Sequence, residues 1–133
     1  MSEDVRWQQR FESFNNAFQL FAEAVQKFPD LNVLEQEGLV KRFEFTFELA
    51  WKTMKDYLEK AGFNEVNSPR DVIKTAFQAG YIKDGQKWLD MLIARNKTSH
   101  QYDDAMFKIL VKQITAEYYQ EIRQVWQFLQ EQL

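Results

Sequence analysis

The chain has no cysteine, only one histidine, and few glycines and prolines, four and two in 133 residues. Without cysteine there are no disulfides or thiolate ligands, and one histidine excludes a multi-histidine zinc site within one chain. An all-β fold needs many tight turns, which glycine and proline favour, so their low number argues against such a fold. No run of 18 apolar residues occurs, so we expect no membrane-spanning helix, and we expect neither a metal nor a cofactor.

The amino acids that are abundant indicate one folded domain spanning residues 1–133. Hydrophobic residues make up 45% of the chain and aromatic residues 16%, which suffices for a buried core. The net charge of −3 argues against a broadly basic surface that coats nucleic acid, so any phosphate binding is expected in a local cleft. The absence of cysteine and the acidic, polar start of the chain predict a cytoplasmic location.

Apolar residues recur at steps of three and four nearly throughout, which is the period of an amphipathic helix. The first helix ends at Pro29, the second runs from about Val33 to Ala61, and Ser68-Pro69 opens a short third helix. A fourth helix extends from Asp84 to about Gln101, and the last extends from about Asp104 to the end. The sequence therefore predicts an all-α fold, an up-and-down four-helix bundle with one extra short helix.

The second helix carries apolar residues beyond its main stripe. Phe45 and Leu49 point away from the face that holds Phe43, Phe47 and Met54. Either other helices of the bundle cover them, or they form the interface with a second copy or a partner, since contiguous exposed apolar area usually marks an interface.

The fourth helix turns from apolar to polar along its inward face. After Trp88 to Leu92, Arg95 and Ser99 project onto the middle of that face, with Asn96 and His100 beside them and Tyr102 one heptad after Arg95. Buried polar groups are costly unless they are paired or face a ligand. Histidine is the usual proton-transfer group near neutral pH, and arginine suits phosphate.

Two interpretations of this stretch stay open from the residues alone. In one, Arg95 forms a structural ion pair with Glu44 or Glu48, and His100 ends a helix. In the other, the polar groups line a cleft for an anionic ligand.

The stretch Arg95 to Tyr102 resembles the R-x4-H-x-Y signature of the HEPN superfamily of small helical proteins. Residues 42–52 (RFEFTFELAWK), 68–70 (SPR) and 95–100 (RNKTSH) more specifically resemble the nucleotidyltransferase substrate-binding proteins, a similarity that runs from the first helix to about Tyr119. The resemblance implies a HEPN-like bundle that partners a separately encoded minimal nucleotidyltransferase, often as a toxin–antitoxin pair.

In toxic members of this group, the Arg and His of the motif act in a metal-independent RNA endonuclease across a homodimer cleft. Carried onto this chain, the resemblance implies that Arg95 and His100 are catalytic. Asn96, Ser99 and Tyr102 are then expected to contact the substrate, and Tyr102 is also a candidate for nucleotide attachment by the partner.

Three functions follow as hypotheses. The first is an endoribonuclease in which Arg95 stabilises phosphate charge, and in which His100 and its copy from a second subunit serve as base and acid. The second is a non-catalytic subunit that binds a nucleotide or other substrate for the transferase. The third is a structural adaptor whose polar cleft secures dimer packing.

Overall fold

A computed structural model describes residues 3–97 and 103–133, and within those ranges the chain is helical with no strand. The elements are α1 (Glu3–Gln26), a 3-10 turn (Phe28–Asp30), α2 (Val33–Lys60), α3 (Pro69–Gln78), α4 (Gly85–Lys97), α5 (Asp104–Gln113), a π-helical turn (Ile114–Tyr118) and α6 (Tyr119–Glu131). The all-α prediction is confirmed. No helix in this part of the chain is both long enough and apolar enough to cross a membrane.

Local hydrogen bonds begin the helices where the sequence predicts. Asn32 and Glu35 form a reciprocal capping box at α2, with bonds of 2.8 and 2.9 Å. Ser68 Oγ accepts the Asp71 backbone N–H at 3.1 Å at the start of α3, where Pro69 occupies the first helical position. The predicted N-terminus of the short third helix is therefore confirmed.

Glycines end α2 and α3. Gly62 has φ 98° and Gly80 has φ 83°, in the left-handed region that side chains with a Cβ rarely adopt. After α2, the Gly62 N–H donates to the Glu59 carbonyl at 3.1 Å and the Phe63 N–H donates to the Leu58 carbonyl at 3.0 Å. This Schellman pattern satisfies carbonyls that the helix end would otherwise leave unpaired.

Helices α1 and α2 form an antiparallel pair around an aromatic core. Arg10 bonds Asp56 at 3.1 Å, and the buried Thr46 hydroxyl donates to the Ala17 carbonyl at 3.3 Å, so early residues of α1 face late residues of α2. The α6 helix packs alongside, with Trp126 stacked on a phenylalanine of α1 at 4.9 Å. The largest fully buried side chains of this core include Trp7, Phe14, Phe21, Phe43, Phe47, Met54 and Trp88.

The last helix is not a uniform α-helix as expected, because a π-helical turn joins α5 to α6. Leu110, Ile114, Tyr118 and Ile122 follow one another at steps of four. In an α-helix each such step overshoots one turn by about 40°, so three in a row would rotate the apolar stripe off the core. The wider turn absorbs this drift, and Ile114, Tyr118 and Ile122 are all buried.

Candidate functional site

An open groove of about 890 Å³ lies between α1 and α2 and reaches Arg95 on α4. Its lining combines apolar, polar and charged side chains: Ser13, Asn16, Ala17, Leu20, Gly38, Lys41, Arg42, Glu44, Phe45, Thr46, Glu48, Leu49 and Arg95. Three of these residues are basic and two are acidic, so the groove carries a local excess of positive charge on a chain that is acidic overall. Such a groove suits a ligand that has both an anionic and an apolar part.

Arg95 stands at the edge of this groove. The packing of Trp88 against Phe47, with ring centroids 5.8 Å apart, brings α4 against α2. The buried face of α4 ends at Leu92, and the Arg95 side chain is 39% exposed. The inward face of α4, onto which Arg95 projects, therefore opens into the groove at this position.

The Glu48 carboxylate forms ion pairs with two side chains and accepts a hydrogen bond from a third. Arg95 Nη2 lies 2.9 Å from Glu48 Oε2, and the Trp51 indole N–H donates to the same oxygen at 3.2 Å. Lys52 Nζ lies 3.4 Å from Oε1. Of the two ion-pair partners considered for Arg95, the structure contains Glu48. The other, Glu44, forms an ion pair with Lys41 at 3.3 Å.

Phe45 and Leu49 both line the groove. Phe45 is 63% exposed, so the interpretation in which other helices of the bundle cover it is wrong. Leu49 is half-buried and packs against the core cluster. The Phe45 ring on the groove wall is therefore exposed to solvent in the single chain.

Sequence reasoning missed Lys41, Arg42 and the groove wall from α1. Arg42 Nη1 donates to the Leu20 carbonyl at 2.7 Å, which joins the two helices at the groove. The helical period could have indicated Lys41, because it lies four residues before Phe45 and seven before Glu48, on the same face. The α1 wall carries no such signal, since its place depends on tertiary packing.

The remaining predicted site residues divide between the described and undescribed parts of the chain. Asn96 follows Arg95 on α4 and is exposed. Ser99, His100 and Tyr102 lie outside the described residues. Across residues 3–97 and 103–133, no group of three or more His, Cys, Asp or Glu side chains could hold a metal ion.

A second, smaller pocket of about 280 Å³ lies between α6 and the segment that leads into α4. Glu121 lines it and is only 7% exposed, and its Oε1 has no hydrogen-bond partner among the residues that the structure describes. Burial raises the pKa of Glu121, Asp84 raises it further, and Lys87 opposes the rise. Tyr118, in the π-helical turn, also has a raised pKa, chiefly through burial.

Comparison with known proteins places these features in a family. The family described as "Nucleotidyltransferase substrate binding protein like" matches residues 9–131, nearly the whole chain and all of the groove. The chain belongs to this family. The HEPN-type resemblance noted from the motif is thus confirmed.

One curated relative adds detail. "Probable ribonuclease HepT" of Haemophilus influenzae (strain ATCC 51907 / DSM 11121 / KW20 / Rd) is 33% identical over 81 residues. The match covers 58% of this chain and 56% of that protein, so the chain spans little more than half the relative's length.

Proposed function

We propose that this HEPN-type protein is a metal-independent endoribonuclease whose catalytic groups are Arg95 and His100. The observation that carries the proposal is the position of Arg95, the first residue of the R-x4-H motif, half-exposed at the edge of a groove that carries excess positive charge. The Haemophilus relative is named as a probable ribonuclease, which supports the same reaction.

RNA cleavage without a metal requires only a few protein side chains. Cleavage requires that a base take the proton of a 2′-hydroxyl, whose oxygen then attacks the adjacent phosphorus. An acid must protonate the 5′-oxygen that leaves. One His100 serves as base and a second His100, from another copy of the chain, serves as acid. Arg95 stabilises the negative charge on the phosphorane, Asn96 orients the phosphate or His100, and Ser99 lines the cleft.

The need for two histidines leads to a homodimer. The exposed Phe45, with Leu49 beside it, lies on the same groove as Arg95. Burial of this apolar surface against a second copy would bring two Arg95/His100 sites together around a two-fold axis. We therefore assign Phe45 and Leu49 to the dimer interface.

The family description names a nucleotidyltransferase. We infer that the partner is a minimal nucleotidyltransferase and that the two proteins form a toxin–antitoxin pair. We propose that the partner switches the ribonuclease off by transferring AMP from ATP to Tyr102. The phenolic oxygen of Tyr102 would bond to the α-phosphorus, and pyrophosphate would leave. The added phosphate would occupy the anion site beside Arg95 and His100 and exclude RNA.

Intact mass after incubation with the partner and ATP tests this switch. We expect an increment of one or more adenylates on the wild type and none on Tyr102→Phe. An increment that persists in Tyr102→Phe would remove Tyr102 from the proposal.

The family description favours one alternative function, because it names substrate binding rather than cleavage. In that alternative, the same groove holds a nucleotide and presents it to the transferase without reaction. Anion binding and anion catalysis use the same residue types, so activity has to decide between them.

The deciding experiment is cleavage of a labelled single-stranded RNA by purified protein in the presence of a chelator. We expect cleavage by the wild type, unchanged by chelator, and none by His100→Ala at equal helical content. Nucleotide binding without any cleavage would favour the binding subunit, and cleavage that His100→Ala retains would reject the mechanism.

A further inference from the structure

Glu48 stands in an unusual position for a groove that is to receive phosphate. It places a carboxylate beside Arg95, where it repels an anionic ligand and competes with that ligand for the guanidinium. Glu48 and Arg95 are both partly exposed, at 26% and 39% of their side chains. Ion pairs in contact with water add little to stability, so folding alone is a weak reason for this pair.

The contacts around Glu48 suggest a different reason. Its Oε2 forms an ion pair with Arg95 Nη2 at 2.9 Å and accepts a hydrogen bond from the Trp51 indole N–H at 3.2 Å. A flexible arginine is thereby tied to an aromatic residue of α2, the long helix that forms one groove wall. Lys52, 3.4 Å from Oε1, balances part of the carboxylate charge. An ion pair at 2.9 Å, whose carboxylate also accepts the Trp51 indole N–H, restricts where the guanidinium lies.

We propose that Glu48 is a positioning residue, which holds the Arg95 guanidinium in place for the developing charge of the phosphate. The inference rests on the proposed ribonuclease function. Preorganised donors stabilise a transition state because they need no rearrangement when charge develops. Glu48 thus weakens the attraction for RNA and improves the placement of the catalytic cation.

These two effects are separable by one matched pair of variants. Glu44 lies on the same helix and the same groove as Glu48, and its partner is Lys41, 3.3 Å away. Glu44→Gln and Glu48→Gln each remove one negative charge from the groove. A general electrostatic effect acts on both variants, whereas loss of Arg95 positioning acts on Glu48→Gln alone.

We expect Glu48→Gln to lower kcat for RNA cleavage by about tenfold, since Arg95 must then be immobilised during each turnover. The KM should stay equal or fall, because a repulsive charge is gone. Glu44→Gln should lower kcat by clearly less than Glu48→Gln, because it leaves the contact between Glu48 and Arg95 in place, and Glu48→Asp should restore part of the loss. Equal kcat values for Glu48→Gln and the wild type, or an equal fall in both glutamine variants, would overturn the proposal.

A measurement without RNA separates this proposal from the ribonuclease itself. The ¹⁵N relaxation of the Arg95 Nε–H and the shift of the Trp51 indole signal report the contact directly in the full chain. We expect greater Arg95 mobility and a shifted Trp51 signal in Glu48→Gln, and neither change in Glu44→Gln. If the wild type cleaves no RNA, the ribonuclease proposal fails, and these signals alone decide whether Glu48 orders Arg95. An Arg95 equally mobile in all three proteins would contradict the positioning role.

Discussion

Phe47 and Phe45 are two residues apart on α2, yet Phe47 is fully buried and Phe45 is 63% exposed. Phe47 packs between Phe43 and Trp88, with ring centroids 6.2 and 5.8 Å away. Phe45 lies on the groove beside charged side chains, among them Arg95. One face of α2 thus packs into the core, and the other exposes an apolar ring that does not contribute to core packing. The difference separates residues kept for stability from residues available for binding.

The largest predicted difference between Phe47 and Phe45 is in the stability of the folded chain. Phe47→Ala should lower the free energy of unfolding by about 3–5 kcal/mol, because it leaves a cavity in a packed core. Phe45→Ala should change it by no more than about 0.5 kcal/mol at protein concentrations where the chain is monomeric. Denaturant unfolding monitored by circular dichroism measures both. Similar losses in the two variants would show that the faces do not differ in this way.

The next effect concerns association. Phe45→Glu should weaken the proposed dimer of 16.0 kDa chains by about 2 kcal/mol or more, as expected for a charge placed at the centre of an apolar interface. Phe77→Glu provides the matched control, since Phe77 is 51% exposed but lies on α3, and the groove lining does not include it. Sedimentation velocity at micromolar concentration gives the result. A wild-type monomer, or dimers that only Phe77→Glu disrupts, would remove Phe45 from the interface.

A smaller effect distinguishes two carboxylates. Glu48 has two ion pairs and one hydrogen bond, whereas Glu121 has a buried oxygen that lacks a partner within the described ranges. Because burial raises the pKa of Glu121 in the folded state, its ionisation costs stability as the pH rises through and above the ordinary glutamate range. Glu121→Gln should therefore be more stable than the wild type by about 1 kcal/mol at pH 7. The difference should vanish below about pH 4, where both folded and unfolded wild type are protonated.

Denaturant unfolding at several pH values tests the sign. A variant that is less stable at pH 7, with a gap that widens on acidification, would contradict the burial argument for Glu121.

The sequence predicted those parts of the molecule that local chemistry determines. Capping residues such as Ser68 and terminating glycines such as Gly62 act within one turn, so the helix ends could be located. The off-stripe position of Phe45 followed from helical geometry alone. An ion pair of Arg95 with Glu44 or Glu48 was one of two interpretations that the sequence left open, and the structure contains the pair with Glu48.

Tertiary packing determined the rest. The groove needs the α1 wall at Ala17 and Leu20, and no periodicity within α1 predicts which of its residues will line a groove with α2. The projected stripe placed Arg95 on the inward face of α4, but it could not indicate that a groove opens there. The π-helical turn could have been foreseen from the steps of four between Leu110 and Ile122, but the same spacing also fits a slowly rotating α-helical stripe.

The most direct test of the proposed site is the single-turnover rate of RNA cleavage by Arg95→Ala, measured in chelator alongside its free energy of unfolding. We expect the rate to fall by roughly 10²–10³-fold, as when one preorganised donor is removed from a developing oxyanion. The free energy of unfolding should change by no more than about 1 kcal/mol, since the ion pair with Glu48 is partly exposed. A cleavage rate equal to that of the wild type would contradict the assignment of Arg95 as a catalytic residue.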